Sequence, residues 1–160
     1  VGEVVVTGDH VGKAYMNDPQ AERANKIKDG AETWHRTGDA ARLDSQGRLW
    51  LMGRVSARVE RLQEVWWPMV AEAAALQVPG VSFAAYLGRQ DASLGQRALL
   101  CVETATGALE PGQEAQVRAA LGRYPIDELL ALKNIPRDPR HASKVDLQKL
   151  NALLGTRHAG

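Results

Sequence analysis

The 160 residues carry 20 basic and 19 acidic side chains, a formal net charge of +1, with 44% hydrophobic and 24% charged residues. This is an ordinary globular balance for one domain or a domain with an appendage, long enough to bury a core without disulfide staples. There is no basic stripe with interleaved aromatics, which speaks against a nucleic-acid partner, and no run approaches the ~20 apolar residues of a membrane span. The single cysteine, Cys101, lies in the apolar run 98–102 and reads as a buried strand residue. A lone cysteine fits a reducing compartment, and a cytoplasmic setting is expected. No signal peptide is visible. The chain opens on Val1–Val6, already a strand-like pattern, and so reads as a fragment or an excised domain.

In chain order, residues 3–7 read as a β-branched strand between glycines. Residues 19–28 read as a helix capped by Asp18, opened by Pro19 and stopped by Asp29-Gly30. Residues 40–43 and 48–52 read as strands about the turn Asp44-Ser45-Gln46-Gly47, with a third strand over 55–61. An alanine-rich helix over 68–77 is broken by Pro79-Gly80. Strands over 81–87 and 98–103 flank a polar loop, 88–96. A helix covers 111–123, with a further candidate helix over 126–132 and a short strand at 133–135. Residues 137–144 read as a loop, and 146–154 as a closing helix with an apolar face. Helices interrupting strands in this order predict a small α+β domain over about 55–155, preceded by the β-rich end of a different, larger body. Residues 156–160 read as a disordered tail. One of Trp66 and Trp67 is expected in the small domain's core, and Glu72 is expected to be structural.

Two clusters carry chemistry. The first is Trp34-His35-Arg36-Thr37-Gly38-Asp39, followed by 47–54. An ionised carboxylate is acceptor-only and can take both hydroxyls of a vicinal diol, such as that of a ribose. Gly38 lets a ligand approach the backbone, and Arg54 supplies a planar cation for ribose or phosphate oxygens. Alone, Thr-Gly-Asp is a weak signal and reads as an Asx-capped turn. The second cluster, 135–146, places Lys144 just before a helix, where its ammonium suits developing charge on a carboxylate or α-phosphate. Alone, it reads as a solvated basic loop. The four histidines have no metal-ligand spacing, and no metal site is expected in the chain.

With both clusters in this order, the chain resembles the adenylate-forming superfamily of acyl-CoA synthetases, peptide-synthetase adenylation domains and luciferases. Gly2-Glu3-Val4-Val5-Val6-Thr7-Gly8 and Asn17-Asp18-Pro19 are similar to the segments before its ribose motif. His35–Asp39 resembles that motif, 44–54 the hairpin leading to its interdomain hinge, and Lys144 its late lysine. Residues 34–36, 95–103 and 138–144 resemble the branch containing β-lactone synthetases of olefin biosynthesis and acyl-AMP ligases. The resemblance implies residues 1–54 as the end of a large AMP-binding domain, a hinge at about 53–56 with Ser56 at its pivot, and a small mobile C-terminal domain over 55–155. It implies ATP and Mg²⁺ in the intact protein, a small-molecule carboxylic acid as substrate, and the rest of the large domain as partner. Asp39 and Arg54 would bind nucleotide and Lys144 would be catalytic, with His141 and Arg140 in support. β-Lactone closure would follow, with CoA thioester formation the alternative. Two departures stand out. The hinge position, usually Asp or Lys, is Ser56, and Glu60-Arg61-Leu62-Gln63-Glu64 lacks the glycines that would suit a pantetheine arm. The family's phosphate loop is not in the sequence, so the chain alone is expected to be inactive. A rival of another class is a non-catalytic relic that binds a nucleotide or a protein.

Overall fold

The computed structural model describes residues 1–139 and 141–157, without the side chains of 141–143, 156 and 157. Arg140, the side chain of His141 and residues 158–160 of the expected tail therefore lie outside the described residues. The chain forms two compact units, divided between Arg58 and Val59.

The first unit is a four-stranded antiparallel sheet. Strand β3 (Glu32–Leu43) pairs with β1 (Gly2–Val6), β2 (Lys26–Asp29) and β4 (Leu49–Arg54). Helix α1 (Pro19–Asn25) is capped by the Asp18 carboxylate, which accepts from the Ala21 amide at 2.8 Å. The helix ends three residues earlier than the sequence indicates. Lys26–Asp29 leave it as a strand and pair with Glu32–His35, so Asp29-Gly30 is part of a hairpin turn and not a helix stop. The polar run 26–29 gains a full ladder of backbone hydrogen bonds that local propensity does not register. The buried apolar residues of this unit are Val11, Ala40 and Ala41, while Leu43, Leu49, Trp50 and Leu51 are exposed. Val55–Ala57 form one 3-10 turn, not the start of a strand.

The second unit has three layers. Its central sheet is β7 (Phe83–Asp91), β8 (Gly95–Glu103) and β9 (Glu128–Leu132), with β8 in the middle, antiparallel to β7 and parallel to β9. Strand side chains alternate between faces. Ala98, Leu100 and Val102 pack on one side with α2 (Pro68–Ala75) and α3 (Gln113–Leu121). Leu99 and Cys101 pack on the other with Ile135, Leu150 and Leu154, the last two from α4 (Leu147–Arg157). A small hairpin, β5 (Val59–Arg61) and β6 (Glu64–Trp66), precedes α2. Trp66 packs against the first of these clusters, edge-on to Tyr124 at 5.0 Å.

Four expectations are corrected here. Within 126–132, Glu128–Leu132 form a strand, because Leu129 and Ala131 pack on one core cluster and Leu130 and Leu132 on the other, a pattern that composition cannot distinguish from a helix. Residues 133–135 are not a strand. The polar stretch 88–96 is mostly ladder, since Gln90 pairs with Gln96 and Arg89 with Arg97. Within the expected loop 137–144, β10 (Arg137–Asp138) pairs antiparallel with β11 (His141–Val145) as a second small hairpin.

Candidate functional site

In the first unit the Thr37-Gly38-Asp39 segment lies inside β3, not in a free turn. Glu3 pairs with Ala40 and Val5 with Arg36, so β3 spends two more residues than β1 over this stretch and bulges. Gly38 sits at φ +74°, and a Cβ there would stand 3.2 Å from Arg54 Nη1. Three side chains hold the bulge. The Thr37 hydroxyl donates to the Val4 carbonyl at 2.9 Å and accepts from the Asp39 amide at 3.1 Å. Glu3 accepts the Gly38 amide at 3.2 Å on one oxygen and the Arg36 guanidinium at 2.8 and 2.5 Å on the other. The Arg36 hydrogen bond holds the Glu3 carboxyl below its ordinary range.

Asp39 and Arg54 are cross-strand partners of β3 and β4. Arg54 Nη1 lies 3.1 Å from Asp39 Oδ1 and donates to the Thr37 carbonyl at 2.7 Å. The Asp39 side chain is 43% exposed and that of Arg54 is 50% exposed, so the pair presents a carboxylate and a guanidinium together at the surface. At the end of the bordering hairpin, Asp44 accepts from the amides of Gln46 and Arg48 and from the Trp50 indole, and its carboxyl is pushed far below the ordinary range by these bonds, the indole's first. Ser56 is exposed in the 3-10 turn, which Arg58 Nη1 clips by donating to the Val55 carbonyl at 3.0 Å.

In the second unit Lys144 is exposed on β11. Its neighbour Val145 pairs with Arg137 and packs against the second core cluster, so strand alternation turns Lys144 away from that core. The base of the hairpin is closed by the Asp146 amide donating to the Pro136 carbonyl at 2.9 Å. Asp146 then caps α4 by accepting the Lys149 amide at 3.0 Å. Motif reading of the sequence finds Asp39, Arg54 and Lys144 but misses two supporting carboxylates, Glu3 and Glu103. Their side-chain partners among the described residues lie more than 20 positions away, so no local pattern marks them.

No protein-family model matches the chain. It is 34% identical over 160 residues to the olefin β-lactone synthetase of Stenotrophomonas maltophilia, covering 94% of this chain and 29% of that one. In fold it matches the amide bond synthetase McbA of Marinactinospora thermotolerans, with a TM-score of 0.78, 27% identity and coverage of 95% of this chain and 31% of that one. It also matches the O-succinylbenzoate coenzyme A synthetase of Bacillus subtilis solved with ATP and magnesium, with a TM-score of 0.77, 25% identity and coverage of 94% and 30%. The chain belongs to the adenylate-forming superfamily, of which it is a C-terminal portion. It spans about three-tenths of the length of the relatives it matches.

Proposed function

We propose that the chain supplies the ribose-binding aspartate and the catalytic lysine of an ATP-dependent ligase that converts a carboxylic acid to an acyl-adenylate. In this reading residues 1–54 complete the AMP-binding domain, the turn about Ser56 is the hinge, and the unit that follows is the moving domain. The observation that carries the reading is the bulge at Thr37-Gly38-Asp39. A carboxylate held by its own backbone and left about two-fifths exposed beside a guanidinium is suited to a diol and a phosphate ester, and a structural Asx turn would not need Glu3, Thr37 and Arg36 to hold it.

Asp39 would accept from the two ribose hydroxyls. Arg54, already within reach of the same carboxylate, would neutralise it in the free enzyme and face ribose or phosphate oxygens in the complex. The substrate carboxylate attacks the α-phosphorus of ATP, a P–O bond forms, and pyrophosphate leaves. Lys144 would meet the negative charge that develops on the carboxylate and α-phosphate oxygens during that step. Mg²⁺ accompanies the ATP phosphates and keeps much of its water shell, and no residue of this chain is assigned to it. For the second step we favour closure of a β-hydroxyacyl-adenylate, in which the hydroxyl oxygen attacks the acyl carbon, a proton is lost and AMP leaves. The alternative is transfer to CoA. It is disfavoured by the tip of the β5–β6 hairpin, where Leu62 and Gln63 stand without glycine.

The test is pyrophosphate release by the enzyme that carries this chain, with β-hydroxy acids and plain fatty acids, with and without CoA. Acid-dependent release with CoA-independent AMP formation supports the reading. Nucleotide binding with no release for any acid would replace it with the non-catalytic module.

A further inference from the structure

The lysine hairpin has few means of holding its place. β10 has two residues and β11 five, and the pair belongs to no larger sheet. A carboxylate from outside the hairpin reaches it. Glu103 is the last residue of β8, the central strand, where it pairs with Phe83 on one side and Leu132 on the other. Its Oε2 accepts the Ile135 amide at 2.8 Å, and its Oε1 accepts Arg137 Nη2 at 3.0 Å and the Ser82 hydroxyl at 3.2 Å. The Glu103 side chain is 12% exposed. The Arg137 guanidinium also lies over the Phe83 ring, 4.2 Å from its centroid. Arg137 in turn is the ladder partner of Val145, the residue next to Lys144.

We propose that Glu103 is a positioning residue for Lys144, fixing through Ile135 and Arg137 where the β10–β11 hairpin carries the lysine. The carboxylate sits at the end of the central strand of the unit and grips both the backbone entering the hairpin and the first side chain of its ladder. Burial alone would raise the Glu103 carboxyl, but the bonds from Ile135, Arg137 and Ser82 outweigh it and keep the group below its ordinary range, in the charged form that this grip needs. An electrostatic donor is effective only while it is held in place, so a shift of the hairpin by a fraction of its width is felt in rate before it is felt in folding.

The inference rests on the reading of Lys144 as the adenylation lysine, and the two fail separately. In the enzyme that carries this chain, Glu103→Gln is expected to slow pyrophosphate release by about ten- to a hundredfold, while consumption of supplied acyl-adenylate stays near wild type. In a Lys144→Ala background the same substitution is expected to add nothing, because a residue that acts through another has no effect once the other is gone. Without any substrate, hydrogen exchange of this chain is expected to quicken in the peptide 133–147 and to stay unchanged in the β7–β8 ladder. Equal losses in both half-reactions, full additivity with Lys144→Ala, or unaltered exchange at 133–147 would each overturn the proposal. If Lys144→Ala itself spares pyrophosphate release, the role of the lysine falls instead. Should Glu103→Gln prevent folding, Arg137→Lys carries the same three measurements, since it keeps the charge but loses the planar contact over Phe83 and the guanidinium hydrogen bond to Glu103.

Discussion

At Asp39 one carboxylate oxygen is paired with Arg54, and the side chain as a whole is about two-fifths exposed. Charge-assisted hydrogen bonds contribute about 1.5–3 kcal/mol each, so Asp39→Ala is expected to weaken ATP binding by at least tenfold in the enzyme that carries the chain. Unchanged affinity by calorimetry would remove Asp39 from the nucleotide site. Lys144→Ala is expected to behave differently. In the proposed reading its contact would be made mainly in the transition state, so kcat for adenylation should drop on the order of a hundred- to a thousandfold with ATP affinity nearly constant. Comparing pyrophosphate release with nucleotide binding separates the two. Equal, small changes in both would make Lys144 an ordinary surface lysine. Asp39, Arg54 and Lys144 could be singled out in the sequence because motif and spacing mark them as candidates without any fold. The residues that hold them were not. Glu3 meets Arg36 and Gly38 across 33 and 35 positions, and Glu103 meets Ile135 across 32, so each is an unremarked strand glutamate until the register is known.

The elements tell a similar story one level up. The Asp44–Gly47 turn and helices α2 and α3 were readable because proline, glycine and capping signals are local. The end of α1, strand β9 and the β10–β11 hairpin were not, because each is decided by a partner strand. The β5–β6 hairpin turns at Leu62 and Gln63, both at positive φ, 50° and 64°. A two-residue hairpin of this kind favours Asn-Gly, and an L side chain in the left-handed region costs roughly 1–2 kcal/mol. Leu62 is compensated in part by its amide, which donates to the Leu94 carbonyl at 2.9 Å. Gln63→Gly is therefore expected to stabilise the second unit by about 0.5–1 kcal/mol after the entropy of glycine is counted. Urea unfolding followed at Trp66 measures it, and a lower midpoint would mean that the Gln63 side chain has a contact worth more than its strain.

Across the whole molecule, the second unit is held by carboxylates as well as by its two apolar layers. Asp127 takes Arg61 in a forked pair at 2.8 and 2.9 Å and the Ala98 amide at 2.7 Å, tying the first hairpin to the central strand. The Arg61 bond above all holds the Asp127 carboxyl below its ordinary value, and Glu103 is lowered as well. A carboxyl with a lowered folded pKa contributes its full stability above the unfolded value and loses it as pH falls through the folded one. The contribution of Asp127 and Glu103 to the melting temperature of this unit should thus be full above about pH 5 and fall steadily below about pH 4. In Asp127→Asn the melting temperature should start lower and fall less steeply. A variant with the wild-type acid slope would show that the Arg61 pair does not govern the transition. The same tie bears on how the chain is made. Synthesis runs from the amino terminus, and β8 emerges with one free edge that only β9 can cover, after α3 has crossed over. Its second face stays bare longer still, until Leu150 and Leu154 arrive. For the time it takes to translate the intervening fifty or so residues, on the order of seconds, a nascent chain carries Leu99 and Cys101 uncovered on a half-built sheet. Helix α4, which follows Lys144 in the chain, is therefore the element whose arrival covers that face.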